Sequence, residues 1–237
     1  MLDTPRVRPP RLWVFDLDNT LHDARPHVFP HINRSMTDYI RQHLRLDEAG
    51  AQALRLHYWR TYGATLKGLM HHHQIDARHF LQQTRRFDDL SRMLLPEPGL
   101  RQTLTRLPGR RVVLTNGPLH YAEHALQLMG VAVLFSAVYG VEHSGFRPKP
   151  DIAALHAVLK AERVAPQRVV LVEDTLENLR PARQLGMRTV WISRSLRYPR
   201  WLDLRLPMLR GLPRASAALG WLASKRSHDV PGRGETP

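Results

Sequence analysis

Short apolar runs recur along the chain and predict buried strands. Four of them are rich in Val, Leu and Ile and end in polar residues: residues 12–15, 111–114, 168–172 and 189–192. Continuous apolar runs of this length are typical of parallel strands that are covered on both faces. The pattern therefore favours an open parallel sheet.

Helical periodicity fills the intervals between most of these runs. Apolar positions three and four residues apart predict helices over residues 121–129, 152–160 and 176–185. Gly130 and Gly186 stand directly after two of them, where a left-handed residue commonly ends a helix. Strands that alternate with helices predict an α/β fold, here a Rossmann-like doubly wound parallel sheet.

One long segment interrupts this alternation. Between about residues 26 and 95 no strand pattern is present, and turn-forming residues 96–99 end the segment. The helices predicted within it cover residues 32–44, 47–62, 65–73 and 76–94. We therefore expect an all-helical domain, inserted after the first strand of the core.

The chain is thus expected to have three parts. They are an α/β core over residues 1–22 and 96–200, a helical cap domain over residues 23–95, and a basic C-terminal extension over residues 201–237. One more helix is expected at about residues 216–224, and the end of the extension is expected to be disordered.

Composition and charge narrow the possible partners. The 237 residues include 35 Lys and Arg against 21 Asp and Glu, a formal net charge of +14, which predicts an anionic ligand such as a phosphorylated molecule or nucleic acid.

The chain has no cysteine, which excludes disulfides, zinc–thiolate sites and thiol nucleophiles. No apolar run could span a bilayer, and the N-terminus lacks a signal-peptide pattern. We therefore expect a cytoplasmic protein with no membrane partner.

A pair of carboxylates directly after the first strand is the strongest chemical signal. Asp16 and Asp18 stand at a strand end, where open parallel sheets bind their ligands. Because such carboxylates repel each other, the pair suggests bound Mg²⁺ and divided nucleophile and acid/base roles. An isolated Asp-x-Asp is more often a solvated turn, and a sugar-nucleotide transferase site is also possible. An EF-hand loop is excluded, because Leu21 and His27 stand at its sixth and twelfth positions.

Further polar residues follow the other predicted strands. Thr115 and Asn116 end the second run, and their hydroxyl and amide groups could bind phosphate oxygens. Lys149 stands between two prolines that restrict its backbone. Glu173 and Asp174 end the third run and could complete a site of oxygen ligands for magnesium. Each signal alone has a common structural explanation: a turn, a solvated loop lysine or a helix cap.

In this order the motifs resemble those of the haloacid dehalogenase-like hydrolase superfamily. The first motif is matched by Asp-Leu-Asp-Asn-Thr at residues 16–20, and the others by Thr115, Lys149 and Glu173-Asp174, within a resemblance that covers about residues 11–195. Three stretches look most like the pyrimidine 5′-nucleotidase branch: residues 13–21, 58–69 and 173–179. His22 departs from the aromatic residue typical of that branch.

This resemblance implies a mechanism and a set of ligands. Asp16 would form an aspartyl-phosphate, and Asp18 would protonate the leaving alcohol and then deprotonate water. Mg²⁺ would be bound by Asp16, the backbone carbonyl of Asp18, Asp174 and Glu173, the last directly or through water. Thr115, Asn116 and Lys149 would hold the phosphoryl oxygens.

Several functions are compatible with these motifs. The first is a Mg²⁺-dependent phosphatase whose partner is a small phosphate monoester, expected to be a nucleoside 5′-monophosphate. The second is a phosphatase or mutase of small phosphosugars or phosphoglycolate. The third is a non-catalytic, basic nucleic-acid-binding protein, which the complete set of acids disfavours. Asp18 argues against dehalogenation, in which a halide leaves without needing a proton. The sequence makes no prediction of oligomeric state.

Three consecutive histidines, His71–His73, invite a metal-site interpretation. Consecutive side chains on a helix point about 100° apart, so they cannot easily share one ion. A polar helix end or a contact with substrate is the favoured interpretation.

Overall fold

A computed structural model of the protein describes residues 12–221. Within them, six strands form one parallel sheet in the order β3-β2-β1-β4-β5-β6. The strands are β1 (Leu12–Phe15), β2 (Arg110–Leu114), β3 (Ala137–Tyr139), β4 (Val169–Glu173), β5 (Arg188–Ile192) and β6 (Leu204–Leu206). The four predicted strands are confirmed within one residue at each end.

The helices fall into two groups along the chain. Those between β1 and β2 that precede residue 95 are α1 (Val28–Leu44), α2 (Glu48–Tyr62), α3 (Thr65–His73) and α4 (Ala77–Thr84). Those that follow are α5 (Leu100–Thr105), α6 (Leu119–Leu128), α7 (Ile152–Glu162), α8 (Leu176–Gln184) and α9 (Leu212–Ala218). Gly130 and Gly186 have the positive φ angles, 68° and 85°, expected just beyond the ends of α6 and α8.

The central strand explains the continuous apolar runs. All four side chains of β1 are fully buried, because the sheet is covered on both faces. Trp13 and Phe15 pack into the apolar core on one face, and Leu12 and Val14 into the core on the other. Successive side chains of a strand point to opposite faces, so a strand covered on both sides must be apolar throughout. The predicted α/β, doubly wound fold is confirmed.

Strands β3 and β6 and helix α5 were not predicted, and one predicted helix is shorter than expected. β3 and β6 have three residues each and no fully buried apolar run, so they lack the signal that identified the other strands. The helix predicted over residues 76–94 ends at Thr84, and a separate 3₁₀ turn covers Leu90–Arg92. Between them Phe87 leaves the helical path to pack against the core, a contact that sequence periodicity does not reveal.

The core extends beyond the boundary expected at residue 200. β6 pairs with β5, and both Leu209 and Leu212 are fully buried in the apolar core. The first part of the expected C-terminal extension is therefore part of the folded core. The helix expected at about residues 216–224 begins earlier, at Leu212, and the end of the extension lies outside the described residues.

The helical segment has an apolar core of its own, built around Tyr39, Ile40, Leu69 and Phe80. Its two connections to the sheet run side by side, since the Asp23 N–H donates to the Leu95 carbonyl and the Glu97 N–H to the Leu21 carbonyl, both at 2.9 Å. That residues 23–95 act as a cap domain stays a proposal. In the described part of the chain no helix is long and apolar enough to cross a membrane.

Candidate active site

The order of the strands brings the predicted site residues together at the carboxyl ends of the strands. β1 lies between β2 and β4, and Phe15 is in register with Val113 and Val172. The carboxyl ends of three strands therefore meet, and the residues that follow each strand become neighbours although they are distant in sequence. Asp16 continues the pairing, with its N–H 2.9 Å from the Val172 carbonyl oxygen.

A buried lysine lies at the centre of this group of strand ends. The side chain of Lys149 is 1% exposed. Its Nζ donates to Asp16 Oδ1 at 2.8 Å, to Glu173 Oε2 at 2.6 Å and to the Leu114 carbonyl at 2.8 Å. The alternative of a solvated loop lysine is thus wrong, because all three donors of the ammonium are used inside the site.

The carboxylates of the site have strongly perturbed acidities. Burial, with the charge of Glu173, raises the pKa of Asp16 to about 7 although Lys149 opposes the shift. Burial and the Asp16 charge raise the pKa of Asp174 to about 6. Burial also raises the pKa of Glu173. Burial alone would lower the pKa of Lys149, but the two adjacent carboxylates outweigh it and raise that pKa.

The acidic residues fit a hard divalent cation. One carboxylate oxygen each from Asp16, Glu173 and Asp174 lies within 4.8 Å of the other two. Three carboxylates face a single lysine, so negative charge is in excess and a cation would reduce their repulsion. Oxygen-only ligands suit Mg²⁺. Among the described residues, the Asp18 carboxylate is not part of this group.

Asp18 is held by two neighbours. Tyr121 donates its hydroxyl to Asp18 Oδ1 at 2.6 Å, and His22 Nε2 lies 2.9 Å from the same oxygen. His22 is fully buried, so its side chain has no exposed surface for a ligand. Burial and the Asp18 charge raise the pKa of Tyr121 well above its ordinary value, which keeps it a donor. The second Asp18 oxygen has no hydrogen bond within residues 12–221 and is free to act on a ligand.

The Asn116 side chain binds the backbone of the lysine loop. Its Oδ1 accepts from the Lys149 N–H at 2.7 Å and its Nδ2 donates to the Lys149 carbonyl at 2.9 Å. The amide thus clamps the lysine loop, and its second Nδ2 hydrogen and the Asn116 backbone N–H remain the groups that could contact a phosphoryl oxygen. Thr115 Oγ1 accepts from the Gly117 N–H at 3.0 Å, which leaves its hydroxyl hydrogen for a ligand.

The helical segment packs against Tyr121, the residue that donates to Asp18. Phe87 stacks on Tyr121 with ring centroids 5.4 Å apart, and His31 stacks on Phe87. His31 Nε2 also lies 2.6 Å from the Arg86 carbonyl oxygen. Sequence reasoning missed Tyr121, which it assigned to a helix only. In the same segment Arg86 is exposed, whereas Arg85 is partly buried and its Nε is shielded from solvent.

The conspicuous stretch at residues 58–69 is explained by close packing. A Cβ at Gly68 would lie 2.3 Å from Tyr58 Cγ, so only glycine allows Tyr58 to pack there. Gly63 has φ +75°, and a Cβ on it would lie 3.9 Å from Pro150 Cδ, next to Lys149. The stretch therefore shapes the loop between α2 and α3 that adjoins the lysine loop.

The histidine run ends α3 without forming a metal site. His72 Nε2 lies 2.5 Å from the Tyr62 hydroxyl, and His73 Nε2 lies 2.8 Å from the Tyr58 hydroxyl. Among the described residues the three histidines do not join any group of potential metal ligands. The polar-helix-end interpretation is confirmed.

Comparison with known proteins gives consistent matches. The family model of haloacid dehalogenase-like hydrolases matches residues 10–186. Phosphate metabolism protein 8 of Saccharomyces cerevisiae is 26% identical over 206 residues, which span 78% of this chain and 64% of that protein. A Pseudomonas putida phosphoglycolate phosphatase is 28% identical over 213 residues, 84% of this chain and 75% of the relative.

A solved structure shares the fold. The HAD phosphatase from Thermococcus onnurineus superposes with a TM-score of 0.64 at 20% identity, covering 86% of this chain and 97% of that one. At this identity the likeness concerns the fold alone. The chain spans less than two thirds of the length of the yeast relative.

Proposed function

Since this chain belongs to the haloacid dehalogenase-like hydrolases, we propose that it is a Mg²⁺-dependent phosphomonoesterase that forms an aspartyl-phosphate on Asp16. The observation that carries the proposal is the position of the Asp16 carboxylate, held by Lys149 Nζ at 2.8 Å beside Glu173 and Asp174. This places a nucleophile next to a cation and a cluster of oxygen ligands, the combination that phosphoryl transfer requires.

The reaction has two steps. In the first, an Asp16 oxygen attacks phosphorus, the bond from phosphorus to the ester oxygen breaks, and Asp18 gives its proton to the leaving alcohol. In the second, Asp18 takes a proton from water, which attacks phosphorus, restores the Asp16 carboxylate and releases inorganic phosphate. The free oxygen of Asp18, opposite the one held by Tyr121, is the group that moves these protons.

The remaining groups position charge. The Thr115 hydroxyl and Asn116 hold phosphoryl oxygens, and the Lys149 ammonium offsets the negative charge of the phosphate and can exchange one of its three present hydrogen bonds for a phosphoryl oxygen. Asp16, Glu173, Asp174 and the Asp18 carbonyl would hold Mg²⁺, which when bound supplies positive charge that offsets the repulsion between phosphate and the carboxylates. The intact set of acids and the buried lysine support a hydrolase over a non-catalytic nucleic-acid-binding protein.

The substrate is a small phosphate monoester, and two classes have specific support. A nucleoside 5′-monophosphate is supported by the resemblance of residues 13–21, 58–69 and 173–179 to pyrimidine 5′-nucleotidases. Phosphoglycolate is supported by the Pseudomonas putida relative, a phosphoglycolate phosphatase. A cytoplasmic location, predicted from the sequence, is part of the same proposal.

The direct test is phosphate release from p-nitrophenyl phosphate with Mg²⁺ and with a chelator. We expect activity that needs the metal and that falls by at least about 10³-fold in Asp16→Asn, since the amide cannot form the acyl phosphate. Asp38→Asn, at an exposed position on α1, is the matched control and should be unchanged. Full activity of Asp16→Asn would contradict the mechanism. A screen of UMP, CMP, AMP, phosphoglycolate and glucose phosphates then identifies the substrate class.

A further inference from the structure

Arg85 is a partly buried cation that has no carboxylate partner in the described part of the chain. It directly follows α4, and its Nε is buried and has no hydrogen-bond partner in the part of the chain that the structure describes. One terminal nitrogen makes only long contacts with the adjacent Thr84, 3.3 Å to Oγ1 and 3.4 Å to the carbonyl oxygen. Within residues 12–221 it forms no ion pair with a carboxylate.

A structural arginine in the same protein looks different. Arg111 donates from Nε to the Leu134 carbonyl at 2.9 Å and from a terminal nitrogen to the Leu107 carbonyl at 2.8 Å. A buried N–H donor that lacks such a partner costs stability, and this applies to Arg85 Nε. The inward position of Arg85 is therefore explained better by a ligand that supplies the missing acceptors.

The position of Arg85 is defined by the segment that follows it. Phe87, two residues further on, stacks on Tyr121, whose hydroxyl bonds Asp18 Oδ1. His31 holds the same segment through the Arg86 carbonyl. The segment from Arg85 to Phe87 thus adjoins Tyr121, the residue that holds the proposed acid/base.

The electrostatics agree with this location. Burial lowers the pKa of Arg85, and the charge of Asp18 opposes the shift, so the guanidinium lies within electrostatic reach of Asp18. Because Asp18 protonates the leaving alcohol, its surroundings are those of the leaving group, on the opposite side of phosphorus from Asp16.

We propose that Arg85 determines specificity by pairing with an anionic group on the leaving alcohol. The inference rests on the proposed function, since that function makes the side of Asp18 the leaving-group side. The planar fork of a guanidinium suits a carboxylate or a second phosphate. A leaving group of this kind is present in 2-phosphoglycolate, whereas the nucleoside released from a 5′-monophosphate is neutral. The proposal therefore favours acidic leaving groups.

The test compares two substrates of similar shape on the Mg²⁺-loaded enzyme. They are 2-phosphoglycolate and 2-hydroxyethyl phosphate, in which a neutral alcohol replaces the carboxylate. We expect Arg85→Gln to lower kcat/KM for 2-phosphoglycolate by about 10- to 100-fold, the loss typical of a charge-assisted hydrogen bond, and to change it less than about threefold for the neutral substrate. Fructose 1,6-bisphosphate as a third substrate tests a phosphate in place of the carboxylate.

Arg86→Gln is the matched control, because Arg86 is adjacent and exposed, and it should leave both substrates unchanged. Arg85→Lys keeps the charge but loses the fork, so it should retain part of the discrimination. If Arg85→Gln does not fold, Arg85→Lys alone tests the proposal. The proposal is then overturned if this variant keeps the wild-type ratio of kcat/KM between 2-phosphoglycolate and 2-hydroxyethyl phosphate. An equal loss on both substrates, or no loss on either, would also overturn it.

A binding measurement separates this proposal from the proposed function. In Asp16→Asn, calorimetry measures the affinity for 2-phosphoglycolate without turnover, and adding Arg85→Gln should weaken it by about 10- to 100-fold. Wild-type protein that hydrolyses no phosphate ester would refute the phosphatase, yet this affinity difference would still support Arg85. Equal affinity of the two variants, or no binding to either, would refute the role of Arg85.

Discussion

At the scale of single residues, the proposed acid/base Asp18 is held by two neighbours in one orientation. Tyr121 and His22 both bind Oδ1, so that oxygen is occupied and the other is free. Two donors on one oxygen also fix the rotation of the carboxylate. A general acid must point at the atom that it protonates, and this arrangement removes the freedom to point elsewhere.

Tyr121→Phe tests this positioning. The ring can still stack on Phe87, so we expect a small change in thermal stability, whereas loss of the 2.6 Å hydrogen bond should lower kcat by about tenfold with KM nearly unchanged. Steady-state kinetics on p-nitrophenyl phosphate give both values. Tyr39→Phe removes a comparable hydroxyl contact, to His79 in the helical segment, and should have wild-type kcat. An unchanged kcat in Tyr121→Phe would show that Asp18 needs no support from Tyr121.

At the scale of elements, the order of the strands assembles the site. Asp16 follows β1, Thr115 follows β2 and Glu173 ends β4, and these three strands are neighbours in the sheet. Lys149 comes from the loop before α7, which has no strand to hold it. The Asn116 amide holds this loop instead, because it binds both the N–H and the carbonyl of Lys149.

Asn116→Ala should release this loop. Loss of both hydrogen bonds should destabilise the fold by about 1–3 kcal/mol and lower kcat/KM by about 10- to 100-fold, because Lys149 would no longer be held against Asp16. Thermal unfolding and p-nitrophenyl phosphate kinetics measure the two effects. Asn33→Ala removes a side-chain contact with Arg55 in the helical segment and should preserve kcat/KM. Wild-type kinetics in Asn116→Ala would rule out the clamp.

How much the sequence could predict differs between these scales. The strand ends and the acids beside them were correct, because burial on both faces and strand-end chemistry leave local signals. The contacts of Asn116 with Lys149 and of Tyr121 with Asp18 were not predicted, since a hydrogen-bond partner 33 or 103 residues away leaves no local pattern. The end of α4 was also missed, because Phe87 is drawn out of the helical path by a contact with α6.

At the scale of the whole molecule, the acidic site opposes folding when it lacks a cation. The pKa of Asp16 is raised to about 7 and that of Asp174 to about 6, against an ordinary value of about 4. A carboxyl whose folded pKa is raised stabilises the fold while it is protonated. That contribution is complete below about pH 4 and is lost as the pH rises through about 6 to 7.

Metal-free protein should therefore gain most from Mg²⁺ at neutral pH. At pH 7.5 a saturating concentration should raise Tm by roughly 5–10 °C, and at pH 5 by much less, because protons compete for the same carboxylates. Thermal unfolding of chelator-treated protein with and without Mg²⁺ measures this difference. An Asp174→Asn variant should lose most of the Mg²⁺ effect at pH 7.5. An equal Tm shift at both pH values would contradict these acidities.

The sequence by itself determined the α/β class, the inserted helices, the family resemblance and the acids of the site. Each of these depends on patterns within a few residues, such as a buried apolar run followed by a carboxylate. Only the tertiary structure decided that Lys149 is buried between Asp16 and Glu173, that β6 extends the sheet and that the Arg85 Nε is buried without a hydrogen-bond partner in the described residues. The physical reason is that burial and charge pairing depend on which distant segments meet, and folding of the whole chain alone determines those contacts.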